Sequence, residues 1–276
     1  MADYDDLFEP SPQQPTGTFN KEQWAAQKQA QREAVYDLAE QTTLGLSDPA
    51  AFRQYLDVQG QFPLYSVNNA LLIAAQMPQA TQLRDFNAWQ EQGASIQKGA
   101  KGIQILEPGK KYERGDGNEG TSMNVKFVFD VSQTDAAAQP APTRDIDKLL
   151  RALVDKAPVP CIKAQEGQLP EGIVAQYDGK AILVRQGSDP EDMFRAIATE
   201  MAGAKLGDAF QARCAAYILC RRYGVEPPAI DRSLETARTG DAKLTRAELG
   251  KIRDAADAIG KRMYRNLEPH KTEPRS

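Results

Sequence analysis

Histidine is almost absent from this sequence: one of its 276 residues is a histidine, His270, close to the carboxyl end. Zinc peptidases hold their metal with two histidines at positions i and i+4 of one helix, and a glutamate between them serves as general base. A single histidine cannot supply that pair. A hydrolase built on histidine ligands is therefore excluded.

Long apolar runs, a leader-like start and an even set of cysteines are also lacking. No stretch approaches the ~18 apolar residues that cross a bilayer, and the acidic start, MADYDD, has neither the basic nor the apolar part of a signal peptide. Cys161, Cys214 and Cys220 are not spaced as metal ligands, and the last two fall in an apolar helical run. We expect buried, reduced thiols in a cytoplasmic protein that needs no cofactor and no membrane.

Positive charge is scarce for a protein that would bind nucleic acid. The net charge is −4; residues 1–142 carry 11 Lys and Arg against 18 Asp and Glu, and residues 143–276 carry 23 against 20. Nucleic-acid binding by the first half therefore needs a local basic patch. The balance of −7 in that half equally suits an acidic module that mimics DNA and binds a restriction or conjugation protein. This alternative stays open.

One helix has the zinc-peptidase pattern without its ligands. In the run Thr199-Glu200-Met201-Ala202-Gly203, Thr199 and Gly203 take the histidine positions, and only the acid Glu200 remains. No Ser, Cys or His constellation accompanies Glu200 to support acid–base chemistry without a metal. We expect this carboxylate to be solvated or paired with Arg213.

Apolar periodicity and turn residues predict an α+β protein of two domains. The first has helices packed on a small antiparallel sheet, and the second is mostly helical with a short β-hairpin. The predicted divisions are a disordered tail at 1–17, a domain at 18–135, an Ala/Pro linker at 136–144, a domain at 145–267 and a second disordered tail at 268–276.

Local signals predict the elements within these domains. In the first half, helices are expected over 19–44 (with Trp24 on the apolar stripe), from Pro49, from Ser66 and over 85–92, followed by strands at 102–106 and 125–131 joined by a mobile loop at 109–120. In the second half, we expect a helix near 145–155, strands at 173–177 and 181–185, and helices from Asp189, over 210–223 and from the capping box Thr245-x-x-Glu248.

Several short motifs of the first half occur together in one order. They are YSVNNALLIAAQMP at 65–78, Trp89, Gly93, KGAKGI at 98–103, Pro108 and VFDVSQT at 128–134. Together they resemble the N-terminal domain of ArdC-type antirestriction proteins and of the related LtrC-like proteins, over roughly residues 20–135. The resemblance implies a single-stranded-DNA-binding domain in a protein of plasmids, conjugative transposons or phages that protects incoming DNA.

Residues 145–265 resemble the zincin-type metallopeptidase domain of the same family. The family pattern places a third, acidic ligand just after the start of the following helix, which aligns with Arg213 in the run FQARCAAY at 210–217. All three ligand positions, Thr199, Gly203 and Arg213, are then degenerate. The resemblance therefore implies a pseudo-peptidase, and we expect no enzyme activity.

Single-strand binding needs aromatic faces for stacking and cations that follow the phosphates. Candidate faces are Tyr65, Trp89 and Tyr112, and the helix-opening Asn68 and Asn69 are candidate contacts to a phosphate or base. Each has a structural alternative: Trp89 suits a core near Phe86, and the asparagines suit the first turn of a helix.

The candidate cations form the one local basic cluster of the first half, Lys98, Lys101, Lys110, Lys111 and Arg114. In Lys98-Gly99-Ala100-Lys101-Gly102 the charges alternate with glycines, which let backbone N–H groups approach a phosphate. A solvated loop is the alternative. The sequence thus predicts a non-catalytic single-stranded-DNA-binding protein.

Overall fold

The computed structural model describes residues 20–113, 119–138 and 145–268. Its helices are α1 (Lys21–Gly45), α2 (Pro49–Gln61), α3 (Val67–Gln76), α4 (Phe86–Glu91), α5 (Ile146–Val154), α6 (Pro190–Leu206), α7 (Ala209–Tyr223), α8 (Glu235–Arg238) and α9 (Ala242–Leu267). Its strands are β1 (Leu83–Arg84), β2 (Ile103–Glu113), β3 (Glu119–Asp130), β4 (Cys161–Lys163), β5 (Ala175–Tyr177) and β6 (Ile182–Val184).

The strands form two small sheets, so the α+β prediction is confirmed. The first is antiparallel with the order β1-β3-β2, and β2 and β3 make a long hairpin. The second has the order β4-β6-β5, with β4 parallel to β6 and β5 antiparallel to it. Each sheet packs against helices of its own half of the chain.

Side-chain caps start the helices of the first half where the sequence predicts them. Asn20, Asp48, Ser66 and Asp85 each precede a helix and accept a hydrogen bond from a backbone N–H of its first turn. Such caps satisfy donors that have no partner inside the helix. This local signal explains why the four starts were predictable.

The two halves share one hydrophobic core. Phe52 of α2 stacks on Phe210 of α7 with ring centroids 6.0 Å apart, and Asp57 binds both Tyr217 (2.9 Å) and Arg221 (2.8 Å). A Cβ at Gly60 would lie 2.6 Å from the Cβ of Arg221, so the glycine permits this close approach. The division into two domains stays a prediction, but α2 of the first half and α7 of the second half pack directly on each other.

Several predicted boundaries are corrected by the structure. The expected loop at 109–120 is largely strand, because β2 continues to Glu113 and β3 begins at Glu119. α9 begins at Ala242 with Asp241 as its cap, so Thr245 lies buried inside the helix and does not cap it. The short elements β1, β4 and α8 were not predicted.

Trp24 was predicted on the buried stripe of α1, yet its side chain is 51% exposed. Residues 21–30 are all exposed, and full burial on this helix begins at Val35.

The predicted tails at 1–17 and 268–276 (apart from Glu268) and most of the predicted linker lie outside the described residues, as does His270. Within the described ranges, no helix combines the length and apolarity that a bilayer crossing requires. The prediction of buried thiols is confirmed for Cys214 and Cys220. Burial raises the pKa of both thiols above the ordinary value of 9.0.

Candidate nucleic-acid interface

Two side-chain amides of α3 close the outer edge of β2. Asn69 Nδ2 donates to the carbonyl of Leu106 (2.8 Å), and its Oδ1 accepts the Leu106 N–H (2.9 Å). Gln76 makes the same pair of bonds to Gln104, at 2.9 Å each. Pro108, two residues after Leu106 on this edge strand, has no N–H that would need a hydrogen-bond partner. An edge that would otherwise be open to pairing is thus covered.

This arrangement overturns the predicted nucleic-acid contact at Asn69. Its side chain is 7% exposed, and both polar atoms are engaged by Leu106. Asn68, one residue earlier, is half-buried, and its predicted contact stays a prediction.

The structure also removes Trp89 from the candidate stacking faces. The indole is 2% exposed, packs with Ala94 and Val131, and donates from Nε1 to the carbonyl of Phe129 (2.9 Å). The guanidinium of Arg84 lies 5.5 Å from the ring centroid. A ring enclosed in this way cannot receive a base, so the core alternative holds for Trp89.

Residues 97–102, here called the basic loop, are fixed to the segment that follows β3. The N–H of Gln97 donates to the carbonyl of Gln133 (2.9 Å), and Gln133 Nε2 donates to the carbonyl of Lys101 (2.8 Å). Gln133 belongs to the VFDVSQT motif, so one function of that motif is to hold the loop in place.

A tight turn presents Lys98 at the corner of the basic loop. The Ala100 N–H bonds back to the carbonyl of Gln97 (3.1 Å), and Gly99 has a φ of +85° at the third position. This combination fits a type II turn, in which glycine accepts the positive φ without strain. Lys98 and Lys101 are both exposed.

Close packing requires a glycine at position 102. A Cβ at this position would lie 2.9 Å from Cζ of Phe129 and 3.1 Å from Cβ of Phe127. The rings of these two phenylalanines cover the space that the glycine leaves on this face of the sheet. The Phe127 side chain is nevertheless 40% exposed.

An open cavity of about 630 Å³ lies where the basic loop meets this sheet face. Lys101, the partly exposed ring of Phe127 and the amides of Gln79 and Gln104 line it, and none of the lining residues that the structure describes is a carboxylate. A cation, an aromatic face and neutral amides are the groups that contact phosphates and bases of a single strand. We call this the Phe127 cavity.

Sequence reasoning missed Phe127. The signal was present, because strand alternation places Phe127 on the sheet face opposite Lys126 and Val128. Only the pairing with β2, which puts Gln104 and the basic loop beside it, shows that its surroundings are polar and open.

Tyr65 lines a different cavity, of about 430 Å³, on the other face of the sheet. Burial raises the pKa of its phenol above the ordinary value of 10.0, and the nearby charge of Lys126 opposes that effect. Lys126 is bound to Asp85 (2.8 Å) and Glu107 (3.4 Å), so a phosphate there would compete with two carboxylates. The predicted contact at Tyr65 is therefore not grouped with Lys98 and Lys101.

The predicted basic cluster is split in two. Lys110 and Lys111 lie near the far end of β2, whereas Lys101 precedes its start. At the usual ~3.3 Å rise per residue, the distance between Lys101 and Lys110 is roughly 30 Å. Both are exposed, and Lys111 pairs with Glu119 across the hairpin (3.1 Å). Arg114 and the side chain of Tyr112 lie outside the described residues.

Asp130 anchors the VFDVSQT motif through backbone donors. Its buried carboxylate accepts the N–H groups of Thr81 (2.6 Å), Gln82 (2.9 Å) and Ser132 (3.0 Å). Burial raises the pKa of this carboxyl, but the donors outweigh burial and hold the pKa below the ordinary value of 3.8.

We expect Asp130→Asn to cost about 1.5–3 kcal/mol of unfolding free energy at neutral pH, since hydrogen bonds to a charged group are lost. A lowered carboxyl pKa stabilises the fold above the unfolded pKa of about 3.9, and this stabilisation disappears as the pH falls through the folded pKa. The difference in unfolding free energy between wild type and Asp130→Asn should therefore become smaller below about pH 4. Urea unfolding from neutral to acidic pH measures it, and a gap independent of pH would contradict this role.

The degenerate zinc-ligand positions form no metal site. Glu200 is half-buried and accepts the backbone N–H of Tyr177 (2.8 Å), on the outer edge of β5. Of the two expected states, solvated or paired with Arg213, the pairing is therefore wrong. Thr199 Oγ1 donates to the carbonyl of Arg195 (2.8 Å), and Gly203 has no side chain. Arg213 is exposed and carries a positive charge.

This donor set does not fit a zinc ion, which takes neutral nitrogen, thiolate or carboxylate ligands. No group of three or more His, Cys, Asp and Glu in the part of the chain that the structure describes could hold a metal either. Whether the protein lacks enzyme activity stays a prediction.

Solved structures similar to this chain include two of the antirestriction protein ArdC from plasmid R388. The metal-free form is 16% identical with a TM-score of 0.47, over 75% of this chain and 87% of that one. The Mn(II)-bound form is 16% identical with a TM-score of 0.48, over 77% and 98%. No family model and no curated protein matches the sequence. Likenesses at this level assign no function to the chain.

Proposed function

We propose that this protein binds single-stranded DNA without catalysis and that the Phe127 cavity is the primary site. The observation that carries the proposal is the juxtaposition of an exposed aromatic ring and Lys101 in a cavity with no carboxylate among the described residues of its lining. Phe127 supplies a stacking face, and Lys98 and Lys101 neutralise phosphates. Gln79 and Gln104 supply amides for base edges.

The rigidity of the basic loop supports this assignment. Gln133 holds both ends of the loop, so Lys98 and Lys101 are positioned before a ligand arrives. A fixed loop loses little conformational entropy on binding, which favours affinity. Stacking and phosphate contacts tolerate any base, so binding should be insensitive to sequence and sensitive to salt.

The acidic balance of the first half does not weigh heavily against DNA binding. The first nineteen residues carry four acidic and no basic side chains, so residues 20–142 carry 11 basic against 14 acidic, a balance of −3. Four of the seven excess negative charges that suit a DNA mimic thus belong to residues 1–19, which are not among the residues that the structure describes.

The biological setting of the proposal rests on the sequence motifs. Their resemblance to ArdC-type proteins supports a protein of a mobile genetic element that covers incoming single-stranded DNA and so acts in antirestriction. In this view the zincin-like half is a scaffold, consistent with the core that it shares with the first half.

The test is binding of labelled single- and double-stranded oligonucleotides by fluorescence anisotropy at several salt concentrations. We expect Lys98→Glu/Lys101→Glu to weaken single-strand binding by about 10- to 100-fold and to reduce the salt slope by about 1.4, at ~0.7 per lost phosphate contact. Phe127→Ala should cost about 1–3 kcal/mol of binding free energy.

Lys148→Glu/Lys180→Glu is the matched control, because both lysines are exposed and lie in the second half. It changes the net charge equally and should leave binding within about twofold. Equal losses in control and test variants, or no single-strand binding by the wild type at low salt, would overturn the proposal.

A further inference from the structure

The exposed end of α1 carries an aromatic and two cations on one helix face. Trp24, Lys28 and Arg32 recur every four residues, so they lie on neighbouring positions of one stripe. Towards the carboxyl end the same stripe becomes apolar and buried, at Val35 and Ala39. The change of character coincides with the point where the helix leaves the core.

This stripe borders a second open cavity, of about 730 Å³. Trp24, Lys28 and Arg32 line it from the helix, and Asn124 and Val125 line it from β3. Within the described ranges, none of its lining residues is a carboxylate. This part of α1 carries two acids, Glu22 and Glu33, and neither is among the lining residues; Glu33 accepts a hydrogen bond from Gln29 Nε2 (2.7 Å).

The two cavities share one strand and one sheet face. Val125 of the second cavity and Phe127 of the first are two residues apart on β3, so both project from the same face about 7 Å apart. Along α1, Arg32 and Trp24 are separated by roughly 12 Å at 1.5 Å per residue. Cations and aromatic rings thus continue from Lys101 through Phe127 to Trp24.

We propose that the Trp24 cavity is a second subsite for the same single strand, with a base stacked on Trp24 and phosphates bound by Lys28 and Arg32. This inference rests on the proposed function of the Phe127 cavity and extends it to a longer footprint. A protein partner fits less well, because the stripe has one aromatic and no aliphatic residue beyond alanine at its exposed end.

Oligonucleotide length separates the subsites. We would titrate the full chain with oligo-dT of about 5 and about 15 nucleotides, within the range of single-strand site sizes. Lys28→Glu/Arg32→Glu should weaken binding of the longer oligonucleotide about tenfold or more and lower its salt slope by about 1.4. Binding of the shorter one should change less than about twofold, since the Phe127 cavity holds it.

Tryptophan fluorescence gives an independent readout. The chain has two tryptophans, and Trp89 is buried, so quenching by the longer oligonucleotide reports on Trp24. Trp24→Ala should remove that quenching while circular dichroism stays unchanged, because residues 21–30 are exposed.

The outcomes distinguish the two proposals. If the longer oligonucleotide binds wild type and Lys28→Glu/Arg32→Glu alike, while Lys98→Glu/Lys101→Glu loses binding, the second subsite is wrong and the proposed function stands. If wild type binds neither oligonucleotide at low salt, both are wrong.

Discussion

Asp257→Ala is expected to lower the free energy of unfolding by about 3–5 kcal/mol, the usual cost of removing one partner from a buried ion pair. Asp257 of α9 bonds Arg222 of α7 at 2.6 Å, with both side chains only 13% exposed, and Arg253 lies 3.4 Å away. Without the carboxylate, the enclosed Arg222 guanidinium would lose its charge partner.

The surroundings leave Arg222 little room to escape. A Cβ at Gly260 would collide with its guanidinium, so α7 and α9 are tightly packed at this point. Arg222 Nε is already buried without a hydrogen-bond partner in the described part of the chain. The pair therefore costs desolvation, and removing half of it leaves that cost uncompensated.

Asp254→Ala, on the same helix, is the control for Asp257→Ala. The Asp254 side chain is 67% exposed and pairs with Arg253 at 3.3 Å, so we expect a change within about 0.5 kcal/mol. Urea unfolding followed by circular dichroism measures both variants. If the two cost the same, the Arg222–Asp257 pair does not stabilise the α7–α9 contact.

Asn69→Ala should cost about 2–4 kcal/mol, because it leaves the N–H and the carbonyl of Leu106 buried without partners. Each such group costs ~1–3 kcal/mol when unsatisfied. The neighbouring Asn68→Ala changes the same residue type at a half-buried position, and we expect it to stay within about 0.5 kcal/mol.

The same pair of variants separates structure from binding. Asn69→Ala should lower the urea midpoint, and protein that remains folded should bind the single strand as wild type does. A variant that loses affinity while keeping its unfolding free energy would show that Asn69 contacts the ligand after all.

Local features of this fold were predictable from sequence, and the candidate site was predictable only in part. Ser66 and Asp85 mark helix starts because a cap bonds to N–H groups two or three residues away. The alternation at 125–131 marks a strand for the same local reason. Lys98 and Lys101 were predicted to lie in one site because they are only three residues apart in sequence, which keeps them close in any fold.

Long-range pairing decided the rest of the site. The sequence does not show which of Asn68 and Asn69 meets Leu106, since that depends on how α3 lies along β2. Nor does it show that Trp89 is enclosed while Phe127 is open, because both are aromatic residues in amphipathic segments. Burial of a ring depends on which other elements cover its face.

By itself, the sequence determined that it cannot supply the two histidines of a zinc-peptidase site, that the chain is α+β, and that positive charge in the first half is local. Composition and short-range periodicity carry that information directly. The tertiary structure alone decided that Lys110 and Lys111 lie far from Lys101 and that Tyr65 and Phe127 lie on opposite faces of the sheet. It also decided that Trp24 of α1 lies beside the sheet face from which Phe127 projects. Strand register and the packing of helices on the sheet set these distances. Neighbouring residues of a strand project to opposite faces of the sheet, whereas residues far apart in sequence can lie side by side on the same face.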